Sequence, residues 1–265
     1  MTSTAALLEN VRTIAATAGI AILQIYERDF AVELKDDRSP LTEADSAAHD
    51  LIIAGLSSLE LGWPILSEES SRSDLTERRS WDPYWLVDPL DGTKEFIKRN
   101  DEFTVNIALI RHHEPVLGVV LAPALATEYS GARGLGAFKR TANGKLAPIA
   151  VATAAASPLR IVGSRSHRGD SLNAYLEALG PHELVPMGSS LKICLVAEGR
   201  ADAYPRLGPT SEWDTAAAQA ILECAGGVMI DVVGQPLRYN MKEELLNPHF
   251  LAFGDRNRDW LAPLR

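Results

Sequence analysis

Residues 84–93 read Tyr-Trp-Leu-Val-Asp-Pro-Leu-Asp-Gly-Thr, and this stretch decides the interpretation of the chain. The first four residues predict a short apolar strand, and the segment after them predicts a turn at its end. Asp88 and Asp91 would then bring two carboxylates to one point, and the turn would expose the Leu90 carbonyl. Such oxygens are ligands for a hard cation, and nearby backbone N–H groups suit a phosphate. Taken alone, the segment is also consistent with an ordinary turn, because Asp, Pro and Gly are common turn formers.

Two further acidic sites lie far from this stretch in the sequence. Glu68 and Glu69 precede it, and Asp214 lies far downstream. A two-metal phosphatase needs several converging carboxylates, because each cation must be partly neutralised and two cations about 3.5–4 Å apart stabilise the attacking and leaving oxygens. Glu68, Asp88, Asp91 and Asp214 could form that cluster. Simpler interpretations remain open: solvated loop acids for Glu68 and Glu69, and a helix N-cap for Asp214.

The bulk composition is that of a globular protein. The chain has 265 residues, of which 46% are apolar, enough for one large domain or two small ones. A formal net charge of −9 argues against general binding to nucleic acid or anionic membranes, but not against a small anionic substrate. Polar residues interrupt the first apolar stretch, so no integral membrane segment is predicted. Cys194 and Cys224 lie in apolar, helix-like segments, which indicates core thiols in a reducing cytoplasm.

The N-terminal half is predicted to combine helices with an antiparallel sheet. Apolar residues recur at helical spacing over 5–26, and a second helix opens at Thr42. Asp45 stands three residues after Thr42, close to a capping-box pattern, and its only role could be to stabilise that helix start. Segments 103–110 and 116–121 are strand-like, without a helix between them, which favours an antiparallel sheet.

The C-terminal half shows a different pattern. Small residues over 152–157 suggest a junction, so we predict an N-terminal α+β half over 1–155 and a C-terminal α/β half over 156–265. In the second half the sequence predicts a strand at 160–163 and helices at 171–179, 191–198 and 214–225.

Three motifs together resemble the inositol monophosphatase superfamily. They are Ser-Glu-Glu-Ser at 67–70, Trp-Leu-Val-Asp-Pro-Leu-Asp-Gly-Thr at 85–93, and Trp-Asp-Thr-Ala-Ala at 213–217, the last followed by Ala-Gly-Gly at 225–227. They occur in the family order, and the resemblance spans nearly the whole chain. It implies a layered αβαβα phosphatase, with an antiparallel sheet in its first half and Mg²⁺ between its two halves.

The resemblance also implies a set of site residues and two or three Mg²⁺ ions. The positions that match the family's metal ligands are Glu68, Asp88, the Leu90 carbonyl, Asp91 and Asp214. The family's water-activating pair maps to Asp45 and Thr93, with Glu68 as a further catalytic residue. A metal-acidified water could pass its proton through the Thr93 hydroxyl toward Asp45. The substrate would contact Glu68, Leu90, Asp91, Gly92, Thr93 and Asp214.

Other segments resemble the bisphosphate nucleotidase branch of the superfamily. They are Lys-Glu-Phe at 94–96, Ser-Arg-Ser-His at 164–167, Gly-Ser-Ser-Leu-Lys at 188–192 and Ala-Tyr-Pro-Arg at 203–206. The resemblance implies nucleotide contacts from His167, Ser189, Lys192 and Arg206. A second phosphate needs its own cationic donors, which supports this assignment. Alternatively, Ser189 caps its helix, Lys192 is solvated and Arg206 pairs with a nearby acid.

The activity implied by the resemblance is hydrolysis of adenosine 3′,5′-bisphosphate to AMP and phosphate, with PAPS as a second substrate. This reaction would clear the by-product of sulfate activation and sulfotransfer. Inhibition by Li⁺, a homodimer, and loose association with the inner membrane's cytoplasmic face are expected only by analogy, whereas the cytoplasmic location is also what the two cysteines indicate. Two alternatives remain: an inositol or sugar monophosphatase, and a non-catalytic nucleotide-binding protein on the same scaffold.

Overall fold

The computed structural model describes residues 3–30, 32–34, 40–70, 77–163 and 169–265. The helices in these ranges are α1 (Thr4–Tyr26), α2 (Glu43–Ser57), α3 (Thr93–Ile97), α4 (Asp170–Leu179), α5 (Leu191–Ala197) and α6 (Glu212–Cys224). The strands are β1 (Val32–Leu34), β2 (Pro40–Thr42), β3 (Ile65–Ser67), β4 (Tyr84–Asp91), β5 (Thr104–Arg111), β6 (Glu114–Ala122), β7 (Thr127–Ala132), β8 (Gly136–Arg140), β9 (Leu146–Ile149), β10 (Leu159–Gly163), β11 (His182–Pro186), β12 (Ala203–Arg206), β13 (Val228–Asp231) and β14 (Phe250–Phe253).

Two large sheets, a two-stranded antiparallel sheet of β1 and β2, and three helical layers make up the described fold. The first sheet has the order β3-β4-β5-β6-β7-β8-β9, and only its β3–β4 pair is parallel among the described pairs. The second has the order β11-β10-β12-β14-β13, with β10 parallel to both neighbours and β14 antiparallel to both of its own. Helices α1 and α2 cover the first sheet, α5 and α6 lie between the sheets, and α4 packs on the outer face of the second. The predicted layered αβαβα architecture is therefore confirmed.

Helices α1 and α2 bury the apolar stripes that the sequence predicts. Val11, Ile22, Ala48 and Ile52 are fully buried in one cluster with β4 and β5. Helix α1 is long and apolar enough to cross a membrane by length and composition, but half of its most apolar window is buried against the protein. Burying that face against the sheet is the role of an amphipathic core helix in a globular protein.

The middle layer brings α6 unusually close to the first sheet. A Cβ atom added to Gly118 on β6 would lie 2.1 Å from the carbonyl oxygen of Ala217 on α6. Only glycine permits that approach, and the small residues of α6 permit it from the other side. Because α6 lies so close to the sheet, its N-terminal turn, with Asp214, reaches the polar end of β4.

The structure corrects the sequence interpretation of residues 84–91. The strand was expected to end before Asp88, but β4 continues to Asp91. Its register against β5 shifts between Asp88 and Asp91, which is the signature of a bulge. Pro89 cannot donate a ladder hydrogen bond, and proline within sheets is confined to edges, strand starts and bulges, which agrees with an irregularity at this point. The two carboxylates therefore lie on an irregular strand end and not in a turn beyond it.

The division at residue 155 stays a prediction. The first sheet ends with β9 and the second begins with β10, on either side of the predicted junction. The central hydrophobic cluster nevertheless joins both halves, because Leu86 and Val120 of the first sheet share it with Tyr204 and Phe250 of the second.

Candidate active site

Three carboxylates from two distant segments meet between the sheets. One oxygen each of Asp88, Asp91 and Asp214 lies within 4.8 Å of the other two. Asp88 and Asp91 come from the bulged end of β4, and Asp214 comes from the first turn of α6. The predicted convergence of these acids across the chain is thus present in the structure.

Hydrogen bonds fix the orientation of each carboxylate. Asp88 accepts the backbone N–H of Leu90 at 3.0 Å, and Asp91 accepts the N–H of Ser190 at 2.5 Å. Asp214 accepts the Thr210 hydroxyl at 2.6 Å and the Ser211 N–H at 2.9 Å. The alternative that Asp214 is a helix N-cap is wrong, because Ser211 is the N-cap and Asp214 is the third helical residue.

The electrostatics of this cluster favour a cation. Burial, and then the charges of Glu68, Asp91 and Asp214, raise the pKa of Asp88 well above its usual value. Burial and the charge of Asp214 raise the pKa of Asp91 to about 7, and burial raises that of Asp214. Ionised carboxylates this close repel one another unless positive charge lies between them. Their donor chemistry, all oxygen, fits Mg²⁺.

Glu68 adjoins the cluster through Asp88. Its backbone N–H donates to the Val87 carbonyl at 3.1 Å, which places it next to the end of β4. A side-chain hydrogen bond with Glu68 contributes to the raised pKa of Asp88. Glu68 and Glu69 are half-buried, so the interpretation as fully solvated loop acids is wrong.

Asp45 and Thr93 lie together beside the cluster. The Thr93 hydroxyl is 3.3 Å from Asp45 Oδ1 and 3.4 Å from the Leu90 carbonyl. Asp45 Oδ2 accepts the backbone N–H and the hydroxyl of Thr42 at 2.8 and 2.7 Å, so the predicted capping box is confirmed. Asp45 therefore both caps α2 and faces Thr93, and the two interpretations are compatible.

Gly92 makes the turn into α3. Its φ of 92° is in the left-handed region, which glycine adopts without strain. A Cβ atom there would lie 3.2 Å from the Glu102 carbonyl oxygen. This conformation lets the chain turn from Asp91 into α3, where the Thr93 hydroxyl faces Asp45.

Cationic side chains line a cleft that opens from the carboxylates. Ser189, Lys192 and Arg206 line it together with Asp91 and Asp214. The charges of Lys192 and Arg206 lower the pKa of Asp214, against the larger effect of its burial. The alternative that Ser189 caps α5 is supported, because its hydroxyl accepts the N–H of Leu191 at 3.4 Å, although the N-cap residue itself is Ser190. Lys192 is half-buried in this cleft, so the alternative of a solvated lysine stays open.

Arg206 and His167 complete the predicted nucleotide contacts. Arg206 donates to the Pro209 carbonyl through Nη2, and its Nε is buried with no hydrogen-bond partner among the residues described. The charge of Arg206 lowers the pKa of Asp214, so the alternative that Arg206 pairs with a nearby acid stays open. His167 lies outside the described residues, so its contact stays a prediction.

Sequence reasoning missed the residues that support the site. Thr210 donates to Asp214, and the Ser190 hydroxyl is hydrogen-bonded to both Thr104 and Asn106 beneath Asp91. A signal was present for two of them: Thr104 and Asn106 alternate within an otherwise apolar strand, so both must point to the same face. That face is the one toward the carboxylates.

Known proteins resemble this chain over nearly its whole length. The family model described as the inositol monophosphatase family matches residues 5–263. The chain belongs to the inositol monophosphatase family. It is 50% identical over 246 residues to a protein of Escherichia coli (strain K12) named 3′(2′),5′-bisphosphate nucleotidase CysQ, which covers 92% of this chain and 98% of the relative. A protein of the same name from Haemophilus influenzae is 42% identical over 255 residues, covering 96% and 95%.

A solved structure supports the same relationship. The crystal structure of CysQ from Bacteroides thetaiotaomicron, described as a bacterial member of the inositol monophosphatase family, superposes with a TM-score of 0.84 at 44% identity. It covers 94% of this chain and 97% of its own. Enzymes of this family use Mg²⁺, and the acidic cluster of Asp88, Asp91 and Asp214 could bind it.

We expect Mg²⁺ to stabilise the protein more at pH 8 than at pH 6. Asp91 has a folded-state pKa raised to about 7, so its contribution to stability without metal is present below about pH 4 and is lost as the pH rises through 7. Mg²⁺ binds the ionised ligands, so its effect grows over the same window. At 100 times its dissociation constant it adds about 2.7 kcal/mol, or roughly 5–10 °C in Tm.

Thermal melts in EDTA and in MgCl₂ at both pH values measure this difference. Burial raises the pKa of Glu212 to about 7 as well, but its effect appears with and without metal and cancels in the comparison. NaCl at matched ionic strength is the control. An equal gain at pH 6 and pH 8 would contradict cation binding by these carboxylates.

Proposed function

We propose that this chain is a Mg²⁺-dependent 3′(2′),5′-bisphosphate nucleotidase that converts adenosine 3′,5′-bisphosphate to AMP and phosphate. Identity of 50% over 98% of a relative with that name carries the assignment. The cleft supports it, because Lys192 and Arg206 lie beside the carboxylates, where a second phosphate would need cations. PAPS is a second proposed substrate, and the cellular role is removal of the by-product of sulfotransfer.

The carboxylates would hold the metal. We assign the ligands as the side chains of Glu68, Asp88, Asp91 and Asp214 and the Leu90 carbonyl, with two or three Mg²⁺ per site. Bound Mg²⁺ would lower the pKa of a coordinated water and neutralise charge on the phosphoryl oxygens. The hydrogen bonds from Ser190 to Asp91 and from Thr210 to Asp214 hold those carboxylates ready for the cation.

Thr93 and Asp45 would remove the proton of the attacking water. The Thr93 hydroxyl donates toward Asp45 Oδ1 at 3.3 Å, so it can accept a proton from water as it passes its own to the carboxylate. The two hydrogen bonds from Thr42 fix the orientation of the Asp45 carboxylate. Backbone N–H groups of Gly92 and Thr93 would orient the phosphate, and Glu68 would be a further catalytic residue.

The second phosphate would bind in the cationic part of the cleft. Ser189, Lys192 and Arg206 are assigned to it, together with His167 by resemblance. Lys192 Nζ lies 5.8 Å from the centre of the Tyr204 ring, a cation–π arrangement that steadies the ammonium group without consuming its donors. The buried Arg206 Nε adds a donor that a phosphate oxygen could accept.

A phosphate-release panel tests the assignment. Adenosine 3′,5′-bisphosphate, 3′-AMP, inositol 1-phosphate and fructose 1,6-bisphosphate are compared with Mg²⁺ and with EDTA. We expect the bisphosphate nucleotide to have the highest kcat/KM and AMP to be its product. Preference for inositol 1-phosphate would replace the nucleotidase assignment, and nucleotide binding without phosphate release would favour a non-catalytic protein.

Lys192→Ala is expected to raise KM for adenosine 3′,5′-bisphosphate about 10- to 100-fold, with kcat changed less than about threefold. The range corresponds to loss of one charge-assisted hydrogen bond. For 3′-AMP, which carries the cleavable phosphate but no 5′-phosphate, KM should stay near its wild-type value. Steady-state kinetics on both esters measures the difference.

The control for this prediction is Lys145→Ala, which removes an exposed lysine from the β8–β9 turn. A different outcome would identify a different role. If KM rises equally for both esters, Lys192 acts on the metal cluster and does not read the second phosphate.

Assembly and location stay predictions for this chain. A homodimer, checked by light scattering, and loose membrane association rest on family analogy alone, whereas the cytoplasmic location also rests on the two unpaired cysteines. Inhibition by Li⁺ has the same basis and is checked in the phosphate-release assay.

A further inference from the structure

Three buried polar side chains form a hydrogen-bonded chain beneath Asp91. Ser190 Oγ lies 2.8 Å from Thr104 Oγ1 and 2.8 Å from Asn106 Oδ1. A serine hydroxyl has one proton, and an amide oxygen only accepts, so Ser190 donates to Asn106 and accepts from Thr104. All three residues are at most 3% exposed. A hydrogen bond at this depth is costly to break, because the remaining partner is left without water.

This chain joins the two halves of the protein at the carboxylates. In the β4–β5 register Thr104 is opposite Asp91, and Asn106 is opposite Asp88. Residues paired across two strands point to the same face of the sheet. Ser190 belongs to the other half, directly before α5. Its hydroxyl therefore fixes the start of α5 against the strand that adjoins the metal-ligand carboxylates.

Ser190 also bonds a predicted metal ligand through its backbone. Its N–H donates to Asp91 Oδ2 at 2.5 Å, so a shift of Ser190 would move that carboxylate. The chain on its N-terminal side has little freedom: a Cβ atom at Gly188 would lie 2.9 Å from two atoms of Glu102. Ser189 has a φ of 45°, a left-handed conformation that its surroundings must impose.

The hydrogen bonds of Ser190 also fix the position of Lys192, because Lys192 lies in the first turn of α5, two residues after Ser190. Lys192 and Asp91 line the same cleft, and the backbone of Ser190 bonds Asp91. Ordering one of them through Ser190 would order the other. Two ligands that fix a shared element bind cooperatively, and the effect must be reciprocal.

We propose that Ser190 is a positioning residue that couples Mg²⁺ binding at the carboxylates to binding of the substrate's second phosphate. The proposal rests on the proposed nucleotidase function and adds a specific linkage to it. Thr104 and Asn106 are assigned as the hydrogen-bond partners through which Ser190 fixes the relative positions of the carboxylates and of the second-phosphate site.

Calorimetric titration of AMP, which keeps the phosphate that is not cleaved, tests this linkage. The dissociation constant of AMP is measured in MgCl₂ and in EDTA, and that of Mg²⁺ with and without AMP. In the wild-type protein each ligand should tighten the other by at least about fivefold. In Ser190→Ala this factor should fall below about twofold, and Mg²⁺ affinity alone should fall about 3- to 10-fold.

Two further variants separate positioning from a general loss of structure. Thr104→Val keeps the shape of the side chain and leaves Ser190 in place, but it removes the hydroxyl that donates to Ser190. An intermediate coupling factor is therefore expected. Ser130→Ala is the matched control, because Ser130 is a fully buried serine on β7 whose hydroxyl has no partner among the described residues. That variant should keep the wild-type coupling factor. If Ser190→Ala fails to fold, Thr104→Val gives the decisive value.

The outcomes separate this proposal from the function on which it rests. A wild-type coupling factor retained in both Ser190→Ala and Thr104→Val overturns the linkage alone, since phosphate release by the wild type still establishes the nucleotidase. Loss of coupling in Ser130→Ala also overturns the linkage, because it would show that substitution of any buried serine reduces the coupling factor. A wild-type protein that releases no phosphate from adenosine 3′,5′-bisphosphate and binds no AMP overturns both.

Discussion

Asp91→Asn should lower kcat/KM for adenosine 3′,5′-bisphosphate about 10³-fold, equivalent to about 4 kcal/mol of transition-state stabilisation. Asp91 is one of three carboxylates that lie within 4.8 Å of one another. Replacing it by a neutral amide removes charge that a cation needs. Changes to groups that only support metal ligands commonly cost 10- to 100-fold, so a direct ligand should cost more.

The same substitution should raise the stability of the protein in EDTA. Burial and the neighbouring charge of Asp214 raise the pKa of Asp91, so its ionised form destabilises the metal-free fold near pH 8. The asparagine side-chain oxygen can still accept the Ser190 N–H, so the local geometry has no reason to collapse. Melts at pH 8 should therefore show a higher Tm in EDTA and a smaller gain from Mg²⁺.

Opposite signs in activity and stability make this prediction specific. Asp50→Asn on the exposed face of α2 is the matched control and should change neither quantity. If Asp91→Asn keeps turnover within tenfold of the wild type, or keeps the Mg²⁺ concentration for half-maximal rate, Asp91 is not a metal ligand. If it lowers Tm in EDTA, the mutual repulsion inferred for the cluster is wrong.

Periodicity predicted the longer helices well because each of them carries its own signal, whereas the five-residue α3 was not predicted. Helix α1 was predicted over 5–26 and extends over Thr4–Tyr26, and the Thr42–Asp45 capping box begins α2 as expected. Both signals are local, since a buried stripe and a cap depend on residues within a few turns. The second sheet was harder, because β12 and β14 have four residues each and pair across a long stretch of chain. No local pattern specifies that partner.

The sequence predicted the acidic residues of the site but not the residues that hydrogen-bond to them. Asp88 and Asp214 stand in motifs that resemble a family, so their convergence could be proposed without coordinates. The bond from Ser190 to Asp91 joins residues 99 positions apart and depends on how the two halves dock. The strand boundary at Asp88 was wrong for a related reason: a bulge at Pro89 is visible only when the opposite strand is known.

Thr93→Ala should lower kcat about 10²- to 10⁴-fold, the usual range for loss of a positioned acid–base group, with KM for the nucleotide changed less than about threefold. Thr93 is half-buried, and its hydroxyl contacts Asp45 and the Leu90 carbonyl. Deleting it removes the proposed route for the proton of water. The cationic part of the cleft, with Lys192 and Arg206, is untouched, so binding of the second phosphate should persist.

Thr93→Ser separates the hydroxyl from the shape of the residue. It should retain most of the activity, whereas Thr93→Val, with the same size and no hydroxyl, should resemble Thr93→Ala. Thr17→Ala on the exposed side of α1 is a control for a threonine remote from the cleft. Equal kcat in the serine, valine and wild-type enzymes would exclude a proton-transfer role for Thr93.

Asp45 completes this test because it is proposed to act in series with Thr93. If one proton passes through both groups, Asp45→Asn added to Thr93→Ala should cost little beyond the larger single effect. Asparagine can still accept the Thr42 N–H, so the α2 cap should survive. The free energy of unfolding should therefore fall by no more than the cost of a cap change, about 1 kcal/mol. Additive losses in the double variant would mean that the two residues act independently. In that case Asp45 would only cap α2, and Thr93 would act in proton transfer without it.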